Sequence, residues 1–148
     1  MKISVQPGDI DLSAEVKKIS GEKTVGAVAS FVGVVREVPM TLEHYPGMTE
    51  SAIRKIVEEA GGRWKVMDCT VIHRHGALQP GEQIVLVAVA SAHRGDAFAA
   101  CEFIMDYLKT QAPFWKKEHH PGGAAWVEAR ASDDQAAGRW QGPTRKAS

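Results

Sequence analysis

The stretch Gln83-Ile-Val-Leu-Val-Ala-Val-Ala-Ser91 is apolar at every interior position, a pattern expected of a strand covered on both faces. It predicts a buried strand in a sheet with helices packed on it. The strand closes in Ser91-Ala-His-Arg94, and a helical pattern then runs from about Asp96 to Lys109, with Ala97, Cys101, Ile104, Met105 and Leu108 on one face. Strand-to-helix junctions gather polar groups around ligands. His93 and Arg94 are therefore either ligand-binding residues or a pair that caps the sheet edge or meets a carboxylate.

Toward the N-terminus, Lys65 to Arg74 reads as a second strand, separated from the first by Gly76-Ala-Leu-Gln-Pro-Gly81. A helix is marked from Thr49, as N-cap, to Gly61-Gly62, with Ile53, Ile56, Val57 and Ala60 as its apolar stripe. Further out lie a strand at Thr41 to Tyr45, a strand at Thr24 to Arg36 and a helix at Asp11 to Ser20 with Leu12, Val16 and Ile19 at helical spacing. Gly33 interrupts the Thr24 to Arg36 strand and predicts a bulge or a close approach of backbone, with Arg36 just beyond it. Toward the C-terminus, Phe114 to Glu118 and Ala124 to Ala129 read as short strands around the turn His120-Pro-Gly-Gly123, the second ending at Arg130. The chain reads as one domain, residues 1–137, followed by a polar, mobile tail over 138–148.

The chemistry points to Tyr107-Leu-Lys-Thr-Gln-Ala-Pro-Phe-Trp-Lys-Lys-Glu118. Pro113 stops the helix, so Lys109 falls in the last helical turn and Lys116 in the extended segment beyond the bend, where both can face one pocket. Two ammonium groups so placed can hold a phosphate or steady an oxyanion. Lys117 faces the other side of its strand and is expected in solvent. Arg36 and Arg130 are ordinary strand-end charges taken singly, but with Lys109, Lys116, His93 and Arg94 they make a set able to form a compact cationic pocket.

Composition bounds the partners. The 148 residues, 44% of them hydrophobic, suffice for a core without disulfides or metals. Eighteen basic residues balance eighteen acidic ones, which argues against a general nucleic-acid or membrane-surface binder. With no long apolar run, the chain is expected to be soluble and cytoplasmic. Cys69 and Cys101 read as buried thiols with no chemistry. The six histidines lack metal-ligand spacing, so no metal is expected at His73, His75, His93 or the His119-His120 pair. Phe114 and Trp115 flank the lysine pocket as packing residues that could also stack on a flat heterocycle.

Several stretches together carry a resemblance. They are Phe31-Val-Gly-Val-Val-Arg36, Thr41-Leu-Glu-His-Tyr-Pro-Gly-Met-Thr-Glu50, Val71-Ile-His-Arg-His-Gly76, Ser91-Ala-His-Arg94, the run from Phe103 to Glu118 and Trp126-Val-Glu-Ala-Arg130. In this order the chain resembles the large, catalytic subunits of molybdopterin synthases. The resemblance implies an α+β fold of the α/β hammerhead type: a mixed or antiparallel sheet with helices packed on it and a small additional antiparallel β subdomain. It also implies a homodimer within a heterotetramer, whose small ubiquitin-like subunit carries a C-terminal Gly-Gly thiocarboxylate. Sulfur would pass from that thiocarboxylate to cyclic pyranopterin monophosphate and make the molybdopterin dithiolene, with no cofactor. Lys109 and Lys116 match the family's catalytic lysines, and Arg36, His93, Arg94 and Arg130 its substrate-binding positions, some of them reaching across the dimer. The pattern departs between Arg36 and Thr41, where family members carry a longer, glycine-containing loop and only Glu37-Val-Pro-Met40 stands here. The readings this must displace are a non-enzymatic dimeric anion-binding module and a histidine-based metal hydrolase.

Overall fold

A computed structural model describes residues 1–127 and 131–141. The apolar run forms β6 (Gln83–Ser91), an interior strand of a four-stranded sheet ordered β1-β4-β6-β2. Its neighbours β4 (Asp68–Arg74) and β2 (Ala27–Val34) are antiparallel to it, while the edge strand β1 (Lys2–Gln6) runs parallel to β4. Side chains alternate along β6 as a pleated strand demands. Val85, Val87 and Val89 face a core shared with α2 (Met48–Arg63) and α3 (Arg94–Gln111), whereas Leu86, Ala88 and Ala90 face Ile10 and Ile19 beside α1 (Leu12–Ile19). Both faces are thus covered, as the composition of the run requires.

A second four-stranded sheet, ordered β5-β3-β7-β8, is wholly antiparallel and forms the small subdomain. Its strands are β3 (Met40–His44), β5 (Gly76–Leu78), β7 (Phe114–His120) and β8 (Gly123–Val127). Met40, Leu42, Leu78 and Val35 make its own core and join the main body through Ile84. The fold is α+β, as the resemblance implies.

Four local expectations change. The sequence gives no clear sign of β1, whose exposure is mostly intermediate, nor of β5, which lies in the stretch read as a separator. The helix read from Thr49 to Gly61-Gly62 begins instead at Met48 and runs through both glycines to Arg63. Gly47 is its N-cap, with its N–H donated to Glu50 Oε2 at 2.6 Å. Two helical glycines cost roughly 1 kcal/mol each; burying Trp64, 5% exposed, against Phe103 and Trp140 offsets that cost. Residues read as polar chain after Ser132 continue α4 (Ala131–Gly138), and Arg139–Gln141 add a turn of 3₁₀ helix. Trp140 is buried, so the start of the stretch read as a tail is packed on α3; residues 142–148 lie outside the described residues.

Gly33 behaves as expected. The β2–β6 register shifts between Gly33 and Val34, and a Cβ at Gly33 would come within 2.8 Å of Val85 Cγ1. The short connection to β3 is closed by a tight turn in which Val38 N–H donates to the Arg36 carbonyl at 2.9 Å, with Glu37 at φ 70°.

Candidate active site

α3 ends where Pro113 makes continuation unfavourable: Ala112 takes ψ 129° and Lys109 lies in the last turn. The bend is anchored from the side by Thr49, wholly buried, whose hydroxyl donates to the Pro113 carbonyl at 3.0 Å and accepts from Tyr45 N–H at 2.9 Å. From Phe114 the chain enters β7, where alternation sends Phe114, Lys116 and Glu118 to one side and Trp115 and Lys117 to the other. Lys109 and Lys116 thereby line one cleft of about 400 Å³, together with Arg36, Glu37, His73, Phe114, Glu118 and Asp133. The cleft lies between the end of α3, the bulged end of β2 and the inner face of the small sheet. Lys117 lies over the Trp126 ring at 5.3 Å, half-buried rather than in open solvent. Trp115 is an exposed neighbour of Tyr45 on the outer face, not a wall of the cleft.

Of the six residues singled out from the sequence, Arg36, Lys109 and Lys116 come together. His93 and Arg94 do not. They are exposed at the opposite end of α3, with His93 as its N-cap, and the 15 residue steps from Arg94 to Lys109 span roughly 22 Å of helix. Arg130 lies outside the described residues. Among the described residues, the cleft of this subunit sets Arg36, Lys109 and Lys116 against Glu37, Glu118 and Asp133.

His73 is the wall residue that sequence reasoning weighed only as a metal ligand or an ordinary imidazole. It follows Cys69 and Val71 on the helix-facing row of β4, so the alternation that located the core also pointed it at the cleft. Its ring stacks on Phe114, with centroids 3.7 Å apart and planes 21° apart, and Nδ1 lies 2.9 Å from the Arg74 carbonyl. Burial pushes its pKa down to about 4, and the nearby charge of Lys109 adds to the effect. The imidazole is neutral at physiological pH.

Neither thiol can serve as a sulfur nucleophile at that pH. Cys69 and Cys101 are free and buried, and desolvation pushes both up to about 12. Among the described residues no three histidine, cysteine or carboxylate groups are placed to hold a metal ion.

The MoaE protein family matches residues 5–111 of the chain. The chain belongs to it. A molybdopterin synthase catalytic subunit of Ralstonia nicotianae is 58% identical over 146 residues, covering 93% of this chain and 83% of that protein. The solved MoaE protein from Burkholderia ambifaria superposes with a TM-score of 0.83 at 56% identity, over 95% of this chain and 98% of that one. The crystal structure of molybdopterin synthase from Staphylococcus aureus matches with a TM-score of 0.78 at 32% identity, over 83% of this chain and 94% of that one. The function of this MoaE-family chain is that of a large, catalytic subunit of molybdopterin synthase, an enzyme.

Proposed function

We propose that the cleft at the end of α3 is where this MoaE-family subunit transfers sulfur, with Lys109 and Lys116 as the catalytic residues and Arg36, His93, Arg94 and Arg130 as binders of the pterin phosphate. The observation that carries the reading is the convergence of two lysines from different elements, across the Pro113 bend, on one hollow. An ammonium there can protonate a leaving group or stabilise the oxyanion formed when an acyl group is attacked.

The sulfur is imported. With both thiols buried and held in the protonated form, the nucleophile must enter from outside. A C-terminal Gly-Gly thiocarboxylate on a small ubiquitin-like partner is narrow enough to thread such a cleft, since glycine backbone carries no side chain. Sulfur would pass to cyclic pyranopterin monophosphate to give the molybdopterin dithiolene, in the cytoplasm. A passive anion-binding module has less support, because among the described residues three carboxylates oppose three basic groups in the cleft.

That balance also favours a shared site. His93 and Arg94 are exposed and distant from Lys109 in their own subunit, so we assign them to the cleft of a second copy in a homodimer, where they supply the missing positive charge. Mixing tests this. Lys109→Ala and Arg94→Ala preparations should each be inactive with thiocarboxylated partner and pterin precursor. Unfolded and refolded together, they should recover about a quarter of wild-type turnover, because half the dimers are mixed and each carries one intact site. No recovery, with mixed dimers demonstrably formed, overturns the shared site.

A further inference from the structure

The main sheet has one unguarded edge. β2 is an outermost strand, and its sequence Ala27-Val-Ala-Ser-Phe-Val-Gly-Val34 holds no charge and no proline, the devices that keep an open edge from pairing with another chain; β1, at the other edge, carries Lys2. Among the described residues no strand pairs with the outer side of β2. Phe31, 43% exposed, stands near mid-strand on the face that α3 covers, where alternation from buried Ala29 places it. The two ends of β2 lead to different halves of the candidate site. Ala27 pairs with Ser91, just before His93, whereas Val34 lines the lysine cleft and Arg36 follows it.

α3 repeats this layout on the same face of the sheet. α2 contacts β1 while α3 contacts β6 and β2, so the flank of α3 away from α2 lies beside the open edge. Phe103, packed on Trp64 at the end of α2, marks the α2 side. On the opposite flank, at helical spacing, stand Arg94, Phe98, Met105 and Lys109, with Phe98 65% exposed. Their separations of four, seven and four residues read the same from either end, the self-complementarity that an isologous contact requires. The middle of this stripe is level with Phe31: Cys101 Sγ donates to the Val87 carbonyl at 3.7 Å, and Val87 is the β6 partner of Phe31.

We infer that a second copy of this chain seats on this edge, with β2 pairing antiparallel to β2 of the copy about a two-fold axis at Phe31. The inference rests on the shared-site reading of the cleft. Such a pairing sets Gly26 of one chain opposite Arg36 of the other. It carries His93 and Arg94 to the copy's cleft, where Glu37, Glu118 and Asp133 offer complementary charge. The roughly 22 Å of helix that part Arg94 from Lys109 within one chain become the length of the interface between two. Paired strands lie about 4.8 Å apart, so the two α3 helices, each packed on β6 and β2, come about 10 Å apart, close enough for Phe98 of each to meet Met105 of the other.

Two variants of the full chain test the surface. With Phe31 opposite itself, a Cα separation of about 4.5–5.5 Å suits a disulfide. Mild oxidation should therefore turn Phe31→Cys into a covalent dimer, and that dimer should keep turnover within about threefold of wild type with thiocarboxylated partner and pterin precursor. Wild type, whose Cys69 and Cys101 are buried, should not crosslink. Phe31→Glu sets like charges face to face and should weaken dimerisation at least about a hundredfold in sedimentation, with turnover of the monomer down at least about tenfold and native circular dichroism. A folded Phe31→Cys chain that does not crosslink, or a Phe31→Glu chain that dimerises as wild type does, overturns the surface; if Phe31→Glu does not fold, the crosslink alone decides. A failed crosslink beside recovered activity in mixed Lys109→Ala and Arg94→Ala dimers removes this surface and spares the shared site. A Phe31→Glu monomer with wild-type turnover sinks the shared site itself.

Discussion

Lys109 and Thr49 divide the work at the bend. Lysine is the residue the chemistry needs, but its long stem is only as well placed as the backbone that carries it. Thr49, read in the sequence as a helix cap, instead braces that backbone through the Pro113 carbonyl, because a buried hydroxyl must find partners and the capping role is taken by Gly47. Spacing alone could place the two lysines on either side of a proline bend, facing one pocket. It could not reveal that a threonine sixty-four positions away fixes the angle. His73 has a consequence for stability as well. Its pKa falls from 6.5 to about 4 on folding, so as pH drops below about 6.5 the unfolded chain takes up a proton that the native chain refuses. Stability due to this residue is intact above that window and is lost through it, by up to about 3 kcal/mol. Denaturant unfolding of His73→Phe measured through the same range should show a shallower loss than wild type.

The elements were legible where both faces of a strand or one stripe of a helix are apolar. β6, β4 and α3 follow directly from that periodicity, and β7 with β8 from the Pro-Gly-Gly turn. β1 and β5 were not, since a half-exposed edge strand and a three-residue strand carry too little pattern to separate them from loop. Glycines fared unevenly for a physical reason. Gly33 could be read because it breaks a strand, whereas Gly61 and Gly62 misled because packing of Trp64 overrides propensity. Gly26 makes the closest approach: a Cβ there would lie 2.2 Å from the Ala92 carbonyl oxygen, backbone that is itself tied by Gly26 N–H to Ser91 at 3.0 Å. Gly26→Ala should therefore force β2 from the β6 end that leads to His93, costing about 1–3 kcal/mol in chemical denaturation. Unchanged stability would mean that this junction yields more readily than its contacts suggest.

In the whole molecule, the C-terminal segment packs on α3 and contributes one wall of the cleft. Trp140 packs edge-on to Trp64 and Phe103, its indole N–H donates to Asp106 at 2.6 Å, and Arg63 donates to its carbonyl at 2.6 Å. Arg139 adds ion pairs to Glu102 and Asp106. These contacts dock α4, which brings Asp133 to the cleft wall. Trp140→Ala should destabilise the protein by about 3–5 kcal/mol, read from its denaturant midpoint, and should also change turnover, because it frees a wall of the site. A variant that unfolds as wild type does would remove this latch from the account. The site was half legible at this scale: Arg36, Lys109 and Lys116 meet within one subunit, whereas the helix read from Asp96 to Lys109 already set His93 and Arg94 at its far end, and no single-chain pattern could show which cleft they would serve.

The central claim is that the lysine at the end of α3 performs the transfer rather than binding the partner. Single-turnover reaction of Lys109→Ala with thiocarboxylated partner and cyclic pyranopterin monophosphate tests it most directly, with dithiolene formation and partner binding followed on the same sample. Product formation should slow by roughly 10²–10⁴-fold while partner affinity is retained; dithiolene made at near the wild-type rate would contradict the account.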